Sequence, residues 1–67
     1  MKESIGNAAG IIWEFLDRQS GPVNLAALKR SLDLSSNLLM MGLGWLTRED
    51  KLDIEVSGNS YSISLHR

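Results

Sequence analysis

Residues 35–51 read SSNLLMMGLGWLTREDK, and the rest of the chain is arranged around them. The stretch reads as one helix from Ser35 to Lys51. Ser35 is a good N-cap, because its hydroxyl can accept from the free N–H groups of the first turn. Leu34 and Leu39 have the spacing of a hydrophobic staple across that cap. Leu39, Gly42, Leu43 and Leu46 recur at three- and four-residue intervals, the mark of a helix face pressed on a core, and Leu38 widens the stripe. At about 100° per residue the opposite face carries Asn37, Met40, Met41, Gly44, Thr47 and Arg48, with Trp45 on the border. Two methionines and a glycine are odd company for a solvated face. Gly42 and Gly44 each cost about 1 kcal/mol of helix propensity relative to Ala, which points to close packing against the backbone.

Upstream, Asp33-Leu34-Ser35 is a short turn from a second helix. Asn24 caps that helix, with Val23 and Leu28 as its staple and Leu25, Leu28 and Leu32 as its apolar face. Lys29 and Arg30 point outward, and Val23 adds a short extended step before the cap. A first helix runs from a Ser4 cap to about Gln19. Its core arc is Ile5, Ala8, Ala9, Ile12, Phe15 and Leu16, with Trp13 and Ile11 at the edges and Gly10 on the outer face. Ser20-Gly21-Pro22 ends it, since Gly takes a left-handed C′ conformation and Pro cannot continue a helix.

Downstream, the apolar period changes from 3.6 to 2. Leu52, Ile54 and Val56 alternate with Asp53 and Glu55; Tyr61, Ile63 and Leu65 alternate with Ser62 and Ser64. A two-residue loop at Gly58-Asn59 is a strong hairpin signal. It pairs Val56 with Tyr61, Ile54 with Ile63 and Leu52 with Leu65, and puts all of these side chains on one face. The expected architecture is α+β: three helices, the second and third forming a helix-turn-helix, followed by a C-terminal β-hairpin wing. It is a winged helix in a single domain over residues 1–67.

The segments Ala9-Gly10-Ile11-Ile12-Trp13 and Gly44-Trp45-Leu46-Thr47-Arg48-Glu49-Asp50-Lys51-Leu52 carry a resemblance. The chain resembles the small prokaryotic winged helix-turn-helix domains of unassigned function, over essentially its whole length. The second motif is the more specific. The resemblance implies the fold and a DNA-binding ancestry, and brings no catalytic or binding residues with it. At Gly42 the family pattern leads one to expect Ala.

With 67 residues and no Cys, the chain has neither a disulfide nor a thiolate metal site to staple a small core. Its 43% apolar and 22% charged residues are ordinary for a globular domain, and a formal charge of −1 creates no basic field toward nucleic acid or anionic lipid. The absence of a long apolar run or a signal-like segment makes the cytoplasm the default and gives no role at a membrane. Enzyme chemistry finds few parts. The one His is His66, near the end of the sequence. Gly42-Leu43-Gly44 lies inside a helix and not in a phosphate-cradling loop, and Glu49 and Asp50 beside Arg48 and Lys51 read as a solvated charge cluster. No catalytic residue, cofactor, metal or small-molecule substrate is expected.

Two functions remain. One is a protein-interaction module, most simply a homodimer, with Met40, Met41, Gly44, Trp45 and Arg48 as its interface. An exposed apolar patch marks an interface, Met adapts to irregular surfaces, and Trp is enriched at interface centres. For each Trp taken alone, a place in the core or at its edge is the simpler reading. The alternative is a DNA-binding transcriptional regulator, contacting DNA through Lys29, Arg30, Asn37 and Arg48. Charge disfavours it. Between Ser35 and Leu65, Arg48 and Lys51 stand against Glu49, Asp50, Asp53 and Glu55, and the Ser57-Gly58-Asn59-Ser60 tip has no cation. Duplex affinity rests largely on cations meeting phosphates.

Overall fold

The computed structural model describes residues 2–66. Its elements are α1 (Lys2–Asp17), β1 (Val23–Asn24), α2 (Leu25–Ser31), α3 (Ser36–Arg48), β2 (Leu52–Ser57) and β3 (Ser60–Leu65). This is the winged helix expected, with one addition. Val23-Asn24 is a strand in its own right and pairs antiparallel with Ile63-Ser62, so the sheet has the order β1-β3-β2.

Two of the three caps read from the sequence form. The Asn24 side chain accepts from the Ala27 N–H at 2.8 Å, and the Ser35 hydroxyl accepts from the Leu38 N–H at 3.1 Å. Ser4 is not a cap: the helix already includes Lys2 and Glu3, both strong helix formers that carry it past the serine. Its other end is at Asp17. Beyond that, Arg18 and Gln19 turn tightly, their N–H groups donating to Phe15 and Leu16.

The third helix stops at Arg48 and not at Lys51. Asp50 takes φ +59°, the Lys51 N–H donates to the Leu46 carbonyl at 2.9 Å and the Asp50 N–H to the Thr47 carbonyl at 3.0 Å. That pair of bonds around a left-handed residue is a Schellman ending. It turns the chain out of the helix and into β2.

The hairpin has the expected register: Leu52 faces Leu65, Ile54 faces Ile63 and Val56 faces Tyr61. Gly58 takes φ +59° and Asn59 does not turn positive, the φ pattern of a II′ turn. Where the hairpin leaves α3, the Lys51 carbonyl accepts from the His66 N–H, and the His66 imidazole lies 3.0 Å from Asp53.

The core gathers Ala9, Ile12 and Leu16 of α1, Leu28 of α2, Leu39, Leu43 and Leu46 of α3, and Leu52 and Ile63 of the sheet. Phe15, Val23, Leu25, Leu32, Leu34 and Leu65 pack against it, partly buried. Gly42 explains how α1 and α3 come so close. A Cβ at that position would stand 2.8 Å from Ile12 Cδ1, 3.2 Å from the Ala9 nitrogen and 3.3 Å from the Ala8 carbonyl carbon. The alanine expected there would require Ile12 Cδ1 to move and the α1 backbone to give by a few tenths of an ångström; glycine lets α3 lie close on α1.

Candidate protein-interaction site

The hairpin is longer than the core beneath it. Six residues of strand span about 20 Å, and only Leu52 and Ile63 of its apolar face are buried. The outer part of that face, Ile54, Val56 and Tyr61, is exposed, with Val56 at 68%. Between this projecting wing and α3 lies a groove of about 570 Å³. Met40, Gly44, Thr47 and Arg48 form its helix wall, Ile54 and Tyr61 its wing wall, and Leu25, Leu43 and Ile63 its floor. A Cβ on Gly44 would meet nothing within 4 Å, so the glycine widens the groove and answers no packing need of its own chain.

The outer face of α3 is therefore not one patch. Met40, Gly44 and Arg48 belong to the wing groove. Trp45 faces α1, and it also shares a smaller hollow of about 230 Å³ with Arg48 and Glu49. It shares with Trp13 a cleft of about 330 Å³ against α1, floored by Gly6, Ala9, Gly10 and Leu46 and rimmed by Glu14 and Lys51. Trp13 and Trp45 are 37% and 40% exposed and belong neither to the buried core nor to the side chains packed against it. Met41 is exposed and lines neither hollow. Sequence reasoning missed the wing's share of the groove, Ile54 and Tyr61, and Leu25. The hairpin register carried a signal for it, because a stripe that long outruns the helix face it packs on.

The family model for a winged helix-turn-helix domain (DUF2582) matches residues 1–65. The chain belongs to that family. No curated protein and no solved structure matches the chain.

In a winged helix the third helix and the wing are the parts that meet DNA, and here those parts are poorly equipped. Asn37 and Arg48 are both exposed but stand at opposite ends of α3, about 16 Å apart along its axis at 1.5 Å per residue. The Thr47 hydroxyl donates to the Leu43 carbonyl at 2.7 Å and is already engaged with its own helix. Lys29 and Arg30 are exposed at the end of α2, and Lys29 borders a shallow hollow beside Asn59 and Ser60 of the wing tip. The four candidate contacts lie on two helices, Lys29 and Arg30 on α2 and Asn37 and Arg48 on α3. No helix is long and apolar enough to cross a membrane among the described residues.

Proposed function

We propose that this winged-helix domain is a non-enzymatic interaction module that pairs with a second copy of itself through the outer side of α3 and the adjoining wing. The groove between Met40, Gly44, Ile54 and Tyr61 carries the reading: it is apolar, open, and made by the two elements that a DNA reader would line with cations.

Association would extend a small core that has no disulfide to support it. The cysteine-free composition suits a reducing compartment, and the cytoplasm is the proposed setting.

Sedimentation equilibrium tests the reading. The wild-type chain is expected to reach twice 7.4 kDa as its concentration rises. In Met40→Glu a carboxylate enters each copy of the patch, and a two-fold interface carries the change twice; that variant is expected to remain monomeric. A wild-type mass that stays at 7.4 kDa up to about 100 μM, a hundred times a micromolar Kd, overturns the proposal.

The second reading, a DNA-binding regulator, is favoured by the helix-turn-helix itself and by the exposure of Lys29, Arg30, Asn37 and Arg48. A titration with mixed-sequence duplex separates the two. Binding is expected to be weaker than the Kd of about 10⁻⁴–10⁻⁶ M that nonspecific phosphate contacts give, and sequence-selective nanomolar binding would reverse the order of the two readings.

A further inference from the structure

We infer that the open edge of β2 receives an extended segment of a partner protein in which basic and apolar residues alternate, adding a strand to the sheet. The order β1-β3-β2 leaves one side of β2 without a neighbouring strand. The Lys51 carbonyl accepts from the His66 N–H, and backbone bonding alternates along an antiparallel pair. With Asp53 opposite Ser64 and Ile54 opposite Ile63, Asp53 and Glu55 turn their backbone groups to β3, while Ile54 and Val56 turn theirs outward. Among the described residues, no backbone hydrogen bond reaches those outward groups. Leu52 also turns its backbone outward but is buried where the strand leaves α3. Ile54 and Val56, 40% and 68% exposed, are therefore the accessible edge. The contact uses the backbone edge of the wing and not the groove, so it holds for the single chain.

Charge and alternation select the occupant. Successive side chains point to opposite faces of a strand, so Ile54 and Val56 stand on the apolar face and Asp53 and Glu55 on the other. The cross-strand neighbours of Asp53 and Glu55 are Ser64 and Ser62, and the three strands contain no Lys or Arg. Asp53 has the His66 imidazole beside it; Glu55 has no ion-pair partner among the described residues. An antiparallel segment bonded to Ile54 lays its own side chains opposite Asp53, Ile54, Glu55 and Val56 in turn. Lysine or arginine suits the two acids, and an apolar residue suits the other two positions. A second copy of β2 does not fit. Outward backbone groups must meet outward groups, so Ile54 would pair with Ile54 or Val56 of that copy. The first register sets Glu55 against Asp53 and the second sets Glu55 against Glu55, and like charges directly opposite destabilise a strand pair. Centring on Val56 instead puts Ile54 opposite Gly58, beyond the end of the strand. The acids close the edge to its own kind and leave it open to a basic strand. In such a contact main-chain bonds supply affinity and alternate side chains supply specificity.

A labelled synthetic peptide of alternating valine and lysine tests the edge, titrated into the whole chain at a concentration where sedimentation shows single copies. It is expected to bind, and the same peptide with glutamate in place of lysine is not. Hydrogen exchange is expected to slow at the Ile54 and Val56 amides, the two outward donors. Val56→Pro removes one of these donors and leaves the bonds between β2 and β3 in place, since proline is tolerated on an edge whose N–H faces solvent. With its fold checked by circular dichroism, this variant is expected to bind the lysine peptide at least about tenfold more weakly. Glu55→Lys changes an exposed side chain and is expected to weaken the lysine peptide about tenfold and to admit the glutamate peptide. Should Val56→Pro fail to fold, hydrogen exchange in the wild type and the charge exchange at Glu55 decide the matter. No binding of the lysine peptide up to about 1 mM overturns the inference. Binding that leaves the Ile54 and Val56 amides exchanging as before also overturns it, because that is charge attraction without an added strand.

Discussion

Gly42 and Gly44 stand two residues apart in α3 and face opposite conditions. The first is buried against α1, where an added Cβ would press on Ile12 and on the backbone of Ala8 and Ala9. The second faces the wing groove, where an added Cβ would meet open space. Both lower helix propensity by about the same amount, about 1 kcal/mol. At Gly42 the cost is offset inside the chain, by an approach of α1 and α3 that brings Ile12 and Leu39 into full burial. At Gly44 nothing inside the chain offsets it. One side of the helix is packed within the monomer, and the other is left open by it.

The largest effect expected from this contrast is at the packed side. Gly42→Ala gains helix propensity but forces a methyl into the α1 contact, and overpacking of this kind costs about 1–3 kcal/mol. A net loss of up to about 2 kcal/mol is expected in urea unfolding. The nearest clash is with Ile12 Cδ1, at 2.8 Å, and Ile12→Val removes that carbon. In the Ile12→Val background the cost of Gly42→Ala should shrink, a coupling that a double-mutant cycle reads directly. Strictly additive changes would mean that the α1 backbone, and not Ile12, sets the close approach.

The two sides also differ in how far the sequence revealed them. Periodicity located Leu39, Leu43 and Leu46 on the core side because burial there follows from spacing alone. It placed the hairpin register because Gly58-Asn59 and the alternating stripe agree. The propensity cost of Gly42 points to close packing but not to its partner: an i, i+3, i+4 stripe says that a residue faces the core, not that an added Cβ would stand 3.2 Å from the Ala9 nitrogen. The end of α3 was misplaced because Asp50 adopts the left-handed C′ role usually held by Gly or Asn, and the charged run Arg48-Glu49-Asp50-Lys51 reads equally well as a last helical turn. The candidate site was half legible. Met40, Gly44 and Arg48 follow from the helical wheel, but the wheel also groups Met41 and Trp45 with them, and the wing divides that set. Which side of a helix a hairpin covers is a tertiary fact that a one-dimensional pattern does not hold.

The open side should respond to the same substitution with the opposite sign. Gly44→Ala adds a methyl where there is room for it, so the monomer should gain about 1 kcal/mol from helix propensity. For a domain of this size that is a rise in Tm of about 4–8 °C, measured at low protein concentration. The methyl also narrows the groove, so the self-pairing proposed for high concentration should weaken. If Gly44→Ala stabilises the chain and leaves its association unchanged, the groove is not where the second copy sits. If it destabilises the monomer, the contrast between the two glycines fails.

The smallest effect is expected at the end of the helix, on neither side. Asp50 holds φ +59°, a conformation that costs an L-residue about 1–2 kcal/mol, less for Asp than for most because its short side chain bonds locally. Asp50→Gly removes that cost and keeps the Schellman bonds from Lys51 to Leu46 and from Asp50 to Thr47, which are made by the backbone. Against this, glycine loses more conformational freedom on folding than any other residue. The net gain should be about 0.5 kcal/mol, seen as a higher urea midpoint at an unchanged slope. Asp50 lines neither the groove nor the Trp13–Trp45 cleft, so this variant should be more stable than the wild type and no different in association. It is therefore the control for Gly44→Ala. Both raise the stability of α3, and only the change that lies in the groove should alter pairing. A drop in association for Asp50→Gly would show that pairing follows the rigidity or length of the helix and not the shape of its open side.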